Sequence, residues 1–176
     1  MVKKEKNVNI LFILARYVGL IILLLLLPLV YKIVTPLTVY AVGFLLKLIY
    51  PVSINNTILV INFKSTIQII SSCVAGSAYL LLVILNLITP MKIKQRVYSL
   101  IFSLIVLYLI NVLRIFFLTI LYVNNFTYFD LTHKLFWYIL STLFVVLIWF
   151  ASVKLFKIRD TPFYSDAKRI YRMRKK

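Results

Sequence analysis

Acidic residues are scarce in this sequence. Asp and Glu together number 4 against 21 Lys and Arg, for a formal net charge of +17. Only 14% of the 176 residues are charged, where a soluble domain carries about a quarter. Cysteine and histidine occur once each, as Cys73 and His133. A single Cys excludes an intrachain disulfide, and one Cys with one His cannot close a zinc site unaided. No phosphate loop, metal cluster or nucleotide fingerprint is present, so no cofactor is expected. What is there is apolar: 63% of the residues are hydrophobic and the mean hydropathy is +1.01. That excludes an ordinary soluble globular protein and predicts one all-α polytopic domain in a membrane. In a soluble chain the basic surplus would point to nucleic acid. In one this apolar, the positive-inside rule accounts for it, and no nucleic-acid partner is expected.

A bilayer core needs about 20 apolar helical residues. Four stretches predict spans, at about 10–30, 73–89, 97–123 and 135–156. The first carries Arg16, near enough to one end to snorkel. It follows Lys3, Lys4 and Lys6, a flank like that of a secretory signal. Its apolar run is long and no small-residue cleavage site follows, so an uncleaved anchor is expected. Residues 37–50 are short for a span and carry Lys47. Pro36, Tyr40, Gly43 and Lys47 share a helical stripe, which predicts a helix lying on the membrane surface. Counting charges supports four spans. With the N-terminus inside, most basic residues fall in the cytoplasmic segments, including Lys92, Lys94, Arg96 and a basic tail over 157–176. Only Lys32, Lys47, Lys64 and Lys134 fall outside. Residues 51–72 then lie on the exported side. Their β-branched runs, broken at Asn55-Asn56 and Asn62–Ser65, predict a small β-hairpin over the outer mouth of the bundle.

Three residues carry candidate chemistry. Cys73 opens a membrane helix. A lone Cys there is commonly a small apolar filler, but a helix N-terminus also favours a thiolate and supplies N–H groups for an oxyanion. Arg114 is nine residues from the outer end of its helix, roughly 13 Å along the axis. An embedded Arg is costly and by default marks a functional site. The bland reading is an Arg that snorkels, or pairs structurally with Asn111. Its pKa is too high for a base, so it would hold an anion or a developing oxyanion. His133 opens the last span, where a lone His is usually a polar cap. Asp130 stands three residues earlier and would cap that helix or bond the imidazole. All three candidates map to the outer half of the bundle, on different spans. A nucleophile, an acid/base and a fixed cation make a complete set for acyl transfer. Asn55-Asn-Thr57 and Asn125-Phe-Thr127 are glycosylation sequons, which chance explains in an Asn-rich chain.

Over roughly residues 36–150 the chain resembles the exosortase/archaeosortase family of membrane-embedded cysteine transpeptidases. The resemblance rests on Cys73-Val-Ala-Gly76, Asn111-Val-Leu-Arg-Ile115 and His133. Many members have an acidic residue before the Cys and a Gly two after it. Here Ser72 precedes it, with Ala75 and then Gly76 following, a variant more like small archaeal members. Many relatives also carry extra amino-terminal spans. The resemblance implies a multi-pass plasma-membrane enzyme, a thiol protease or transpeptidase with its active site near the extracytoplasmic face. Its partners would be exported proteins ending in a short motif, a membrane helix and a basic cluster. The new carboxyl end would pass to a lipid or other surface acceptor. Cys73, Arg114 and His133 would be catalytic, with Asn111 and Asp130 in support. The competing expectation is a non-catalytic assembly or transport subunit in which Arg114 pairs with a partner helix. The basic tail would meet anionic lipid headgroups in either case.

Overall fold

A computed structural model of the chain describes residues 25–89 and 91–158. The basic N-terminus, residues 10–24 of the first expected span with Arg16, and the tail beyond residue 158 lie outside the described residues. The described part is mostly helical with one small sheet. Helix α1 runs Leu27–Lys47 and is followed by strands β1 (Val52–Asn55), β2 (Ile58–Ile61) and β3 (Ser65–Gln68). A 3₁₀ turn, Ser71–Val74, leads into α2 (Gly76–Ile88) and α3 (Ile93–Val123). Helix α4 (Phe129–Leu135) continues through a π-helical turn, Phe136–Leu140, into α5 (Ser141–Leu155). Four helical stretches are long and apolar enough to cross a membrane: Leu27–Lys47, Ser71–Ile88, Ile93–Val123 and Phe129–Leu155.

The first of these corrects the expected boundaries. The break expected between residues 30 and 37 is absent, and α1 is continuous through Pro36. Proline removes one backbone donor and crowds the preceding turn, but neighbouring groups can satisfy the freed carbonyls in an apolar setting. The carbonyl that loses its donor is that of Lys32. On either side of the proline the Thr38 hydroxyl donates to the Val34 carbonyl at 2.8 Å, and the Tyr108 hydroxyl donates to the Leu37 carbonyl at 3.0 Å, which ties α1 to α3. Packing holds the helix together from the other side. Thr38, Val39, Val42, Gly43 and Leu46 form one buried face. Gly43 therefore belongs to the packed face and not to an exposed stripe with Tyr40 and Lys47. A Cβ at Gly43 would stand 2.6 Å from Ile54 of β1. Lys32, expected in an exported segment, lies inside α1.

The expected hairpin is a three-stranded antiparallel meander, in the order β1-β2-β3. Asn55 pairs with Ile58 and Ile61 with Ser65, so each Asn-containing break makes its own turn. Asn56 and Asn62 adopt φ near 51° and 54°, left-handed values that Asn tolerates well. The middle strand turns Leu59 and Ile61 inward, both fully buried. They pack with Val39, Val42 and Leu46 of α1 and with Val112 and Ile115 of α3. The sheet thus packs against the C-terminal halves of α1 and α3. A second core joins Tyr79 and Leu82 of α2, Leu107 of α3, and Val145 and Ile148 of α5.

The opposite end of the bundle is tied by polar contacts. Asn86 donates to Ser99 at 2.9 Å, and Ser99 bonds Ser152 at 3.0 Å, linking α2, α3 and α5. Such bonds register membrane helices, whose apolar side chains gain little by leaving lipid. The outward faces stay apolar: Leu109, Leu113, Phe117, Leu147 and Phe150 are all exposed.

Candidate functional site

Cys73 sits in the 3₁₀ turn, one turn before α2 and not in its first turn. Its thiol is half-buried and packs against the sheet-side core. The turn ends at Ala75 with φ 57° and ψ 36°, a left-handed conformation. That reversal lets the chain pass from the 3₁₀ turn into α2 while the Cys73 carbonyl remains free of both. Gly76 follows because a Cβ there would run into the Tyr31 ring of α1.

The free carbonyl is taken by Arg114. Its Nη2 donates to the Cys73 carbonyl oxygen at 3.0 Å. Its Nη1 donates to the Ser141 hydroxyl at 2.6 Å. The guanidinium thereby ties α3 to the Cys73 turn and to the start of α5. The thiol is within electrostatic reach of that charge. Arg114 is 9% exposed, and its Nε has no hydrogen-bond partner. Buried donors left unpaired are uncommon and call for an acceptor.

Arg114 and Ser141 line a cavity of about 360 Å³ between α2 and the α4–α5 helix. Ser72, Ser77, Trp137 and Thr142 add polar edges, while Ala78, Leu81, Val145 and Val146 are apolar. The cavity is therefore polar beside the guanidinium and greasy below it. It would suit a ligand with a hydrogen-bond acceptor at one end and an apolar portion at the other.

The other expected residues are placed less directly. His133 lies within α4, which starts at Phe129, six residues before the expected start of the last span. It is half-buried, stacked on Phe129 at 5.8 Å and tilted against Trp137 at 6.2 Å between ring centroids. It reaches the cavity through Trp137 and makes no hydrogen bond to Cys73 or Arg114. Asn111 is 3% exposed with its Nδ2 unpaired. Arg114 is held by Ser141 and Cys73, and not by Asn111. Asp130 is exposed in the first turn of α4, and that helix has no side-chain cap. The expected cap and the expected bond from Asp130 to the imidazole are thus both missing.

Ser141 is the residue that sequence reasoning passed over. Its signal was available: Ser141-Thr142 are adjacent hydroxyls in an otherwise apolar run. The π-helical turn that aims Ser141 at Arg114 has no comparable signature in the sequence. Among the described residues, no group of three or more His, Cys, Asp or Glu side chains is arranged to hold a metal ion. No protein-family model matches the chain, and no curated protein or solved structure is significantly similar to it.

Proposed function

We propose that this protein is a membrane-embedded cysteine transpeptidase acting on exported proteins, with Cys73 as nucleophile. The observation that carries the reading is the bond from Arg114 to the Cys73 carbonyl beside the cavity. It puts a buried cation, costly in an apolar bundle, on the backbone of the residue that bears the only thiol in the chain; Ser72 and Ala75 beside it line the cavity. The resemblance to exosortases and archaeosortases supports the same assignment. The family's glycine two residues after the cysteine corresponds to Ala75, whose φ of 57° is the conformation glycine accommodates best.

The charge distribution supports an exported site. Among the described residues, Lys92, Lys94, Arg96, Lys154 and Lys157 gather at the end of the bundle away from the sheet, while Lys47, Lys64 and Lys134 flank the sheet end and Lys32 lies inside α1. By the positive-inside rule the sheet end, with Cys73, faces outward.

In the proposed reaction His133 takes the Cys73 thiol proton as the sulfur attacks a substrate peptide carbonyl. A C–S bond forms while the carbonyl oxygen takes up negative charge. The Arg114 guanidinium, which lines the cavity, would supply the positive charge that stabilises that oxyanion. The C–N bond then breaks as His133 gives a proton to the leaving amine, leaving a thioester on Cys73. An acceptor hydroxyl or amine on a lipid or other surface molecule then gives its proton to His133 as it attacks the thioester carbonyl, and the C–S bond breaks as His133 returns that proton to the departing sulfur. His133 has to approach the reacting atoms for this step. It sits one aromatic ring away across Trp137, and catalytic contacts often tighten only on substrate binding.

The rival role, a subunit whose Arg114 pairs with a partner helix, is less well supported. Both Nη groups of the guanidinium are already bonded within the chain. The test is to express Cys73→Ala beside a tagged exported protein that ends in a motif, an apolar helix and a basic cluster. The expected outcome is loss of the processed band on a gel, with the variant still inserted. Arg114→Lys should lose about a hundredfold in processing, because a point charge does not replace the planar fork. Normal processing by inserted Cys73→Ala would rule the reading out.

A further inference from the structure

We infer that Ser141 and the π-helical turn before it form a positioning device that fixes the plane of the Arg114 guanidinium against the Cys73 turn. The inference rests on the proposed role of Cys73 and Arg114 and adds a residue to it. A serine hydroxyl has one proton to donate and two lone pairs to accept with. Ser141 gives its proton to the Phe136 carbonyl at 2.7 Å. The same carbonyl accepts the Ser141 backbone N–H, the bond that closes the π-helical turn. The hydroxyl is therefore held from two directions, and its lone pairs are left for Arg114 Nη1 at 2.6 Å.

This arrangement also decides what Ser141 does not do. It lines the cavity, as a serine nucleophile would. Its proton, however, is committed to a carbonyl, which cannot act as a base. Ser141 is an acceptor aimed at a cation. With Nη1 on Ser141 and Nη2 on Cys73, the guanidinium is anchored on two separate elements. Losing either anchor frees it to rotate away from the thiol. An ordinary α-helical turn would put a different side chain at this place, since one residue of register turns a helix by about 100°. π-Helical turns are rare and are frequently found at functional sites.

Cys73 is the only cysteine, so alkylation by a small thiol reagent reports on a single atom. Arg114 bonds the carbonyl of that same residue, so the position of its guanidinium sets the surroundings in which the thiol reacts. The experiment measures the Cys73 alkylation rate at one pH in membranes holding the full chain, Ser141→Ala or Ser141→Thr. The expected result is a fall of about threefold or more in Ser141→Ala, the lower end of one hydrogen bond's worth. Ser141→Thr, which keeps the hydroxyl, should stay within about twofold of the parent. A merely structural serine gives the opposite sign, because a loosened bundle exposes the thiol and speeds alkylation. A smaller fall, an unchanged or faster rate in Ser141→Ala, or a Ser141→Thr rate as slow as Ser141→Ala, overturns the inference. Alkylation needs no peptide substrate. Failure of the transpeptidase reading, seen as normal processing by Cys73→Ala, is therefore read separately.

Discussion

At the scale of single residues, close contacts around the Cys73 turn set the geometry. Gly76 has no room for a methyl group, since its Cβ would meet three atoms of the Tyr31 ring. Gly76→Ala must push that ring or the α1 backbone aside. The expected cost is about 1–3 kcal/mol, the range for overpacking a filled site. A lowered thermal midpoint in detergent would register it. An unchanged midpoint would mean that Tyr31 swings away freely. The residue-level chemistry was only partly legible in the sequence. A deep Arg and a lone Cys announce themselves by cost and rarity, and the structure joins them through one hydrogen bond. Asn111 was the expected partner because it lies one turn from Arg114 on the same helix. Tertiary contacts across helices took that role instead. Ser141 is 27 residues from Arg114, and no local pattern reports such a pairing.

At the scale of elements, two departures from regularity matter most. Proline at position 36 reads as a helix end, because it lacks a donor and restricts its predecessor. Buried contacts with the sheet and α3 override that signal, and the Thr38 and Tyr108 hydroxyls bind carbonyls nearby. The sheet was easier to read. Its two Asn-containing breaks appear as turns, although the second joins a third strand that was not expected. The π-helical turn is the second departure, and it sets the register between His133 and Ser141. Ile139 lies within it and is exposed. Deleting Ile139 would leave a regular helix and rotate His133 by roughly 100° relative to Ser141. Processing should fall about tenfold or more by gel assay, with Ile139→Ala near the parent. Full activity in the deletion would show that this register is irrelevant.

At the scale of the whole molecule, the apolar excess and the basic surplus have separate places. The apolar residues supply both the two cores and the outward faces of the long helices. Five of the described basic residues (Lys92, Lys94, Arg96, Lys154 and Lys157) mark the end opposite the sheet. The scarce reactive groups collect at the other end, where Arg114 links Cys73 to α5 beside a cavity. The central claim is that this thiol carries the substrate as a thioester. Mass spectrometry of the full chain, quenched in acid during turnover with a tagged substrate, tests it directly. The account predicts an adduct on Cys73 equal in mass to the substrate's N-terminal portion and released by hydroxylamine. Substrate processed at the normal rate with Cys73 unmodified throughout would contradict it.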